Sequence, residues 1–526
     1  IVLKLMVRHG YITQEEANLA NSVDIASQLV GVKKKTEYQA YIDYVTDEVI
    51  ELTGKDPIKV PMKIYTIIEK SIQDGINKIM NNKKGSYWKD DVVQAGIAIV
   101  NVKTGAISAL SGQRNNDDAK LWSYATDTLR QPGSTAKPLF DYGPGIEYNN
   151  WSTYTLFDDA PYTYSNGQSI KNWDGGFYGT ITLRRALATS RNIPALKAFQ
   201  QVENKKIIEF VTNLGIEPEI SGGKIHEAHS IGAFTGVSPL QMAAAYAAFS
   251  NGGHYNEPYS VQKIVFRATG EEKEHNDENY IIKRRAMSEE TAYMIASVLQ
   301  DVALTGGTPK NIAAKTGTTQ SNRDKWLCGF TPYYTAAVWY GYPVAKTVRY
   351  SGTNPAGQIW DNVMTAIHKD LENKTFIQPE GIIKKTVCRV SGKLATEACG
   401  ANVYAELFTE ELVPTTACEG HGQIRVCNDS KQMATSQCPS VLDTMGYVPE
   451  KERGAVWVTE NALTTEITGT CPLHPEPAAP APAPAAPSTP STSKPSTDKD
   501  KDNDKDNTGN QGGNQGGNQG GNQGGT

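Results

Sequence analysis

Cysteine is nearly missing from most of this 526-residue chain. Of seven cysteines only Cys328 precedes residue 388, so the long first part has no disulfide to lean on and must rest on a packed core. Long apolar runs are lacking too. No stretch of about 18 apolar residues could cross a bilayer as a helix, and no charged-then-apolar leader opens the chain. There is no basic excess: 52 Lys and Arg stand against 57 Asp and Glu, a net charge of −5, which gives no electrostatic reason to expect nucleic acid as a partner. The eight histidines contain no His-Glu-x-x-His, so a catalytic zinc site has no support. The chain opens on Ile1 in mid-pattern, which reads as a fragment whose anchor has been removed.

What is present suffices for two to four domains and a sizeable core. "TQEEANLANSVDIASQL" (13–29) has a polar start and helical spacing of apolar residues, which predicts a helix. Residues 31–60 are mixed and charged, as in a linker with a short helix. "MKIYTI" (62–67) alternates like a strand and gives way to a helical pattern. "QAGIAIVNVKTGAISALSG" (94–112) holds two β-rich runs, 97–102 and 106–110, joined by a Lys-Thr-Gly turn. In "SPLQMAAAYAAFSNGG" Ser238 suits an N-cap, Pro239 the first helical position and Gln241 a capping box, while Gly252 and Gly253 supply a left-handed stop. "SEETAYMIASVLQDVAL" (288–304) predicts another capped helix, and "WLCGFTPYYTAAVWYGY" two β-rich runs around a Thr-Pro turn. Helices flanked by strands predict an α+β domain whose sheet joins N- and C-terminal strands.

The six late cysteines sit in a repeat. "CRVSGKLATEAC" (388–399) and "CNDSKQMATSQC" (427–438) share Cys-x10-Cys, and each is followed by a Cys-x2-His, at Cys418/His421 and Cys471/His474. Three cysteines and one histidine per copy could bind zinc, but the spacings match no familiar zinc module, and disulfides are the plainer reading. From residue 475 the chain turns to Pro/Ala alternation, charged Asp/Lys runs and four Asn-Gln-Gly-Gly units, the composition of a solvated tail.

The chemistry centres on "RQPGSTAKPLF". A Pro-Gly break followed by Ser134 and Lys137 puts a hydroxyl at a helix start and an amine one turn on, on the same face. A partly desolvated lysine there can lose its proton and act as base toward the serine. The plain alternative is an N-cap serine with a solvated lysine. Ser-x-x-Lys also occurs at Ser86/Lys89, Ser221/Lys224, Ser260/Lys263, Ser491/Lys494 and Ser496/Lys499, so the tetrad by itself says little. Two later stretches add weight. "ATSRNIPAL" places Ser190 and Asn192 two apart, a hydroxyl for proton relay and an amide for orienting a peptide, or merely a polar cap between helices. "AAKTGTT" sets Lys315, Thr316 and Thr318 around Gly317 along a strand edge, which suits a carboxylate ligand, or is a simple hairpin turn. "AHSIGA" (228–233) approximates a Gly-x-Ser-x-Gly elbow but lacks the apolar strand that should precede it.

Ser-x-x-Lys, Ser-x-Asn and Lys-Thr-Gly in this order form the signature of penicillin-binding proteins and class A β-lactamases. Arg191 replaces the aspartate of the strict middle motif, which leans away from the β-lactamases. "RQPGSTAKPLFDYGPGIEY", "NWDGGFYGTITLRRALATSRNIPAL", "GVSPLQMAAAYAAFSNGG" and "AAKTGTT" resemble the transpeptidase domain of class A, bifunctional penicillin-binding proteins, over roughly residues 60–375. "MVRHGYITQEEANLA" resembles the last helices of the glycosyltransferase domain that precedes it there, so glycan polymerisation is not credited to this chain. The resemblance implies residues 1–30 as that remnant, 31–60 as linker and 61–375 as an α+β transpeptidase of the penicillin-binding/serine β-lactamase fold. That fold has a central antiparallel sheet, flanking helices and a helical subdomain. Residues 376–474 would follow as a Cys-rich two-copy module and 475–526 as tail.

By the same resemblance Ser134 is the nucleophile toward D-Ala-D-Ala and Lys137 its base. Ser190 relays the proton, Asn192 binds the stem amide, and Lys315 and Thr318 hold the terminal carboxylate, with the oxyanion between the N–H groups of Ser134 and Thr318. The implied partners are donor and acceptor peptidoglycan stem peptides, β-lactam antibiotics and the division or elongation machinery. No cofactor and no metal are expected at the site. The implied location is the outer face of a bacterial membrane. No Glu-x-x-Leu-Asn lies between Asn192 and Lys315, which disfavours a β-lactamase; a D,D-carboxypeptidase and a penicillin sensor stay as alternatives.

Overall fold

The computed structural model describes residues 1–23, 38–82, 85–114, 122–274, 283–302, 311–350, 352–447, 457–458, 465–466 and 469–477. Five β-rich segments pair into one antiparallel sheet, in the order 313–318, 324–330, 334–341, 94–101, 107–111. An early hairpin therefore completes a sheet begun by three late strands, the α+β arrangement expected. Antiparallel sheets commonly leave one face to water and alternate polar with apolar residues. Here both faces are covered, so every residue of the strand Asp324–Phe330 is buried.

On one face Ala98, Val100, Cys328, Ala337 and Trp339 share a core with Met242, Tyr246 and Phe249 of the helix Pro239–Ser250. On the other, Ile97, Ile99, Leu327 and Val338 share a core with the helices Lys70–Met80 and Pro355–Ile367, through Ile72, Ile76, Ile359 and Trp360. The helix Pro239–Ser250 begins as its sequence dictates. Ser238 Oγ accepts from Gln241 N at 3.2 Å and Gln241 Oε1 from Ser238 N at 2.9 Å. Being buried among strands and helices, it is apolar nearly all round. Smaller helices, Leu183–Ala188, Asn192–Gln201 and Asn204–Asn213, pack against the segment Pro138–Tyr142 that follows Ser134.

The helix expected over 13–29 runs Gln14–Ser22, held by a Thr13–Glu16 capping box. Residues 24–37, 303–304 and 478–526, on which parts of the helix, linker and tail expectations fall, lie outside the described residues. The short helix expected within 31–60 is the 15-residue Gln39–Thr53. It is docked: Tyr41, Val45 and Val49, spaced four apart, are buried against the sheet's core, and Tyr41 Oη donates to Ile107 O at 2.9 Å. Beyond the domain, Ile382–Cys388 pairs with Val403–Thr409, and His421–Cys427 with Val441–Tyr447. In this structure none of the six late cysteines is joined in a disulfide. No helix among the described residues is long and apolar enough to cross a membrane.

Because Val49 is fully buried and the adjacent Ile50 is 36% exposed, their truncations should separate. Val49→Ala is expected to cost about 1.5–3 kcal/mol in urea unfolding. Ile50→Ala should stay within about 0.5 kcal/mol of wild type. Equal and small effects would show that this helix is not part of the cooperative core.

Candidate active site

Three segments meet where the sheet's edge strand Ala313–Thr318 passes the turn Gly133–Ala136. They meet because backbone touches backbone there. A Cβ on Gly317 would stand 2.3 Å from Pro132 O, and one on Gly133 would stand 2.6 Å from Thr318 O. Gly133 also sits at φ +56, where other residues are strained. The turn is fixed from behind: Trp326 Nε1 donates to Gln131 O at 2.8 Å, and Tyr246 Oη to Thr135 O at 2.7 Å. Tyr246 lies on the helix Pro239–Ser250, so the best-signed helix of the sequence directly supports the turn that carries Ser134.

Lys137 is fully buried one turn beyond Ser134. Its Nζ donates to Ser190 O at 2.8 Å and to Asn192 Oδ1 at 2.7 Å, with Ser190 Oγ at 3.4 Å. Lys315, also buried, reaches the same hydroxyl from the edge strand, its Nζ lying 2.8 Å from Ser190 Oγ. One serine hydroxyl thus stands between two lysine amines. Ser190 adopts φ +58, an unfavourable conformation for a residue with a side chain, of the kind that clusters at functional sites. Ser134 itself is half-buried at the rim, and among the described residues its Oγ takes no hydrogen bond.

The electrostatics follow from burial. Desolvation, then the neighbouring Lys315 charge, holds Lys137 well below the usual lysine range. Desolvation brings Lys315 down to about 7. Asp141, one turn past Lys137, is buried with no partner on either carboxyl oxygen among the described residues, and burial pushes its pKa well up. A third lysine, Lys325, lies opposite Thr318 on the next strand. Its Nζ donates to Asn322 Oδ1 at 2.6 Å and approaches Thr318 Oγ1 at 3.4 Å, and burial lowers it to about 8.

Strand pleating separates the members of the third motif. Lys315 pairs in register with Cys328 and lies on the face packed by the helix Pro239–Ser250. Thr316 and Thr318 alternate to the other face, where Thr316 is half-buried and Thr318 exposed. The strand edge therefore offers a buried amine on one side and two accessible hydroxyls on the other.

The family of the penicillin binding protein transpeptidase domain matches residues 95–365, which span all three motifs. The chain belongs to that family. Residues 378–423 match a second family, the C-terminal domain of penicillin-binding protein 1A, so this penicillin-binding protein is the transpeptidase region of a class A enzyme. It is 35% identical over 449 residues to penicillin-binding protein 1A/1B of Bacillus subtilis, covering 79% of this chain and 48% of that protein. The chain spans about half the length of that relative, and 57% of penicillin-binding protein 1A of Streptococcus pneumoniae, to which it is 33% identical over 73% of its own length. In fold it is similar to penicillin-binding protein 1A from Haemophilus influenzae, with TM-score 0.59, 20% identity, and 79% of this chain and 82% of that one covered. It is likewise similar to the PonA1 protein of Mycobacterium tuberculosis in complex with penicillin V, with TM-score 0.57, 24% identity, and 65% and 96% covered.

In this penicillin-binding protein the arginine that departs from Ser-Asp-Asn has its own partners. Fully buried Arg191 donates through Nε to Asp159 Oδ2 at 2.8 Å and through Nη1 to Asp174 Oδ2 at 2.7 Å, and lies over the Tyr178 ring at 4.0 Å. Asp159 Oδ1 in turn accepts from Asn172 Nδ2 at 2.6 Å, and Asn172 Oδ1 accepts from Asn192 N at 2.8 Å. Arg191, Asp159 and Asn172 thus pin the segment that carries Ser190 and Asn192. Nothing local in the sequence marks these three as positioning groups, since their partners lie 13 to 32 residues apart in the chain. The elbow-like "AHSIGA" is a turn whose Ser230 Oγ donates to Glu227 O at 2.7 Å. Its Gly232 abuts Gly133, so it supplies wall rather than nucleophile. Among the other tetrads, Ser260 Oγ is bonded to Glu48, and Ser221 and Lys224 close a backbone turn.

Truncating Arg191 leaves Asp159 as an uncompensated buried charge, so Arg191→Ala should cost about 3–5 kcal/mol in chemical denaturation. A change below about 1 kcal/mol would refute the pinning role. Lys315 carries an opposite-signed signature. Its folded pKa of about 7 lies below its ordinary 10.5, so its contribution is complete above about 10.5 and is lost as pH falls toward 7. Relative to Lys315→Met, wild-type stability should therefore rise between pH 7 and 10. A flat difference would mean that Lys315 is not desolvated in the folded protein.

Proposed function

We propose that this chain acts as a serine D,D-transpeptidase that cross-links peptidoglycan stem peptides. The observation that carries this reading is the Ser190 hydroxyl set between the amine of Lys137, one turn beyond Ser134, and that of Lys315. Ser134 Oγ attacks the carbonyl between two D-alanines of a donor stem, and its proton passes to neutral Lys137. Burial of that amine, which favours the neutral form, makes it competent as a base at ordinary pH. The proton moves by way of Ser190 to the nitrogen of the departing D-alanine. The N–H groups of Ser134 and Thr318 receive the oxyanion, and the accessible Thr318 hydroxyl receives the terminal carboxylate, with the buried Lys315 amine adding positive charge from the other side of the strand. An amine from an acceptor stem then takes the acyl group and frees Ser134. A β-lactam acylates the same serine and is released slowly.

Asn192 enters with both ends of its carboxamide engaged, its Oδ1 by Lys137 and its Nδ2 on Lys171 O at 2.8 Å. It serves to orient Lys137 and must exchange the Nδ2 bond to meet a stem amide. The setting is the outer face of a bacterial membrane, with the full-length protein anchored and working beside division or elongation machinery. A D,D-carboxypeptidase would use the same steps with water as acceptor.

A labelled penicillin followed by mass analysis tests the assignment. One adduct at Ser134 is expected, absent in Ser134→Ala. Lys137→Ala should slow acylation by about 10²–10⁴-fold, the usual contribution of a general base. An adduct on another residue, or unchanged acylation in Lys137→Ala, sinks the reading, and a rapidly hydrolysed adduct would make the chain a β-lactamase.

A further inference from the structure

The late cysteines take no part in the Ser134 cluster, yet they are not scattered. They gather with two histidines into two groups of four: Cys388, Cys399, Cys418 and His421, then Cys427, Cys438, Cys471 and His474. Within each group all four ligand atoms lie within 4.8 Å of one another. His421 Nδ1 stands 3.5 Å from Cys388 Sγ, 3.5 Å from Cys418 Sγ and 3.2 Å from Cys399 Sγ. His474 Nδ1 stands 3.4 Å from Cys427 Sγ and 3.4 Å from Cys471 Sγ. Tetrahedral zinc, with Zn–S near 2.3 Å and Zn–N near 2.0–2.1 Å, requires S···N edges of about 3.6 Å. Both groups already have that size.

The surrounding backbone is shaped for thiolates. Cys388 Sγ accepts from Val390 N at 3.4 Å and Ser391 N at 3.3 Å, Cys399 Sγ from Thr396 N at 3.4 Å, and Cys438 Sγ from Thr435 N at 3.3 Å. Donors aimed at sulfur stabilise its ligating, deprotonated form. The two copies also repeat their scaffold. Cys388 N donates to Lys393 O at 2.8 Å as Cys427 N does to Gln432 O at 2.9 Å; Cys418 N donates to Leu394 O at 2.8 Å as Cys471 N does to Met433 O at 2.8 Å. Chance clustering would not repeat a ligand set together with its backbone frame.

Stoichiometry separates metal from disulfide. A disulfide inside one group joins two of the four converging ligand atoms, whereas one metal ion uses all four. Cysteine sulfurs hold the centre of each unit: Cys388, Cys399 and Cys418 form one buried cluster, and Cys427, Ala434 and Cys471 another beside the small cluster of Ile424, Val426 and Met433, so a staple adds to a core of few residues. We propose that each group binds one zinc ion, giving two structural Cys3His sites in the C-terminal part of the chain. Four protein ligands leave no open position, which marks structural sites rather than catalytic ones, and thiolate with imidazole selects zinc over magnesium or calcium. The first site braces a hairpin whose Glu406 Oε2 accepts from Arg184 Nε at 2.7 Å. Arg184 belongs to the helix Leu183–Ala188, which leads into Ser190. The metal thus stiffens a support of the Ser190 segment.

Elemental analysis of the full chain tests this, purified untagged in reducing buffer and passed over a weak chelating resin. About two zinc ions per chain are expected, one for each group. Cys388→Ser and Cys427→Ser should each lower the count to about one, and the double variant to none. Cobalt offered to the metal-free wild-type chain should produce thiolate-to-cobalt charge-transfer absorption and the visible bands of tetrahedral cobalt, a readout that needs no variant to fold. Zinc below about half an ion per chain without those bands overturns the proposal, as does intact mass showing the six cysteines paired in disulfides in protein exported by a living cell. Penicillin acylation plays no part in any of these readouts.

Discussion

Two amines buried against one hydroxyl are the constraint on which the rest of the domain depends. Lys137 and Lys315 are both excluded from water, and among the described residues neither has a carboxylate in direct hydrogen bond. A buried lysine in that state relinquishes its proton readily. The backbone oxygen of Ser190, its hydroxyl and the Asn192 carboxamide hold the two amines. Ser190 does this in a left-handed conformation. Its energetic cost has to be met by the neighbourhood, as is usual for strain kept at a working site.

That neighbourhood is built from two kinds of contact. Missing side chains at Gly133 and Gly317 let the turn of Ser134 lie directly on the edge strand. Charges then lock the facing segment. Arg191 binds Asp159 and Asp174, Asp159 binds Asn172, and Asn172 binds the backbone of Asn192. The residue that breaks the strict middle motif is therefore the anchor of this lock. An aspartate at that position would face Asp159 and Asp174 with like charge.

Legibility in the sequence varied with the range of the interaction. The helix Pro239–Ser250 was readable to its terminal residues, because a capping box and a glycine stop are local chemistry. The helix Gln39–Thr53 was not readable as part of the core, because its three buried residues matter only against a sheet completed by distant strands. The cysteine repeat was readable as two copies, yet the choice between disulfides and a metal stayed open. Spacing does not report that Cys418 and His421 return to the sulfurs of Cys388 and Cys399 in space.

By itself the sequence determined which residue types could do chemistry and in what order they come: a serine and lysine one turn apart, a Ser-x-Asn and a Lys-Thr-Gly. It also determined the local elements that carry them, since caps, turns and periodicity act over a few residues. Tertiary structure decided the rest. It joined Lys137 to Lys315 through Ser190 and placed Arg191 among aspartates distant in the chain. It also set Thr316 and Thr318 on the opposite side of the strand from Lys315. Each of these depends on burial and on contact between segments far apart in the chain, and desolvation, which sets the charge of both lysines, is a property of the assembled fold alone.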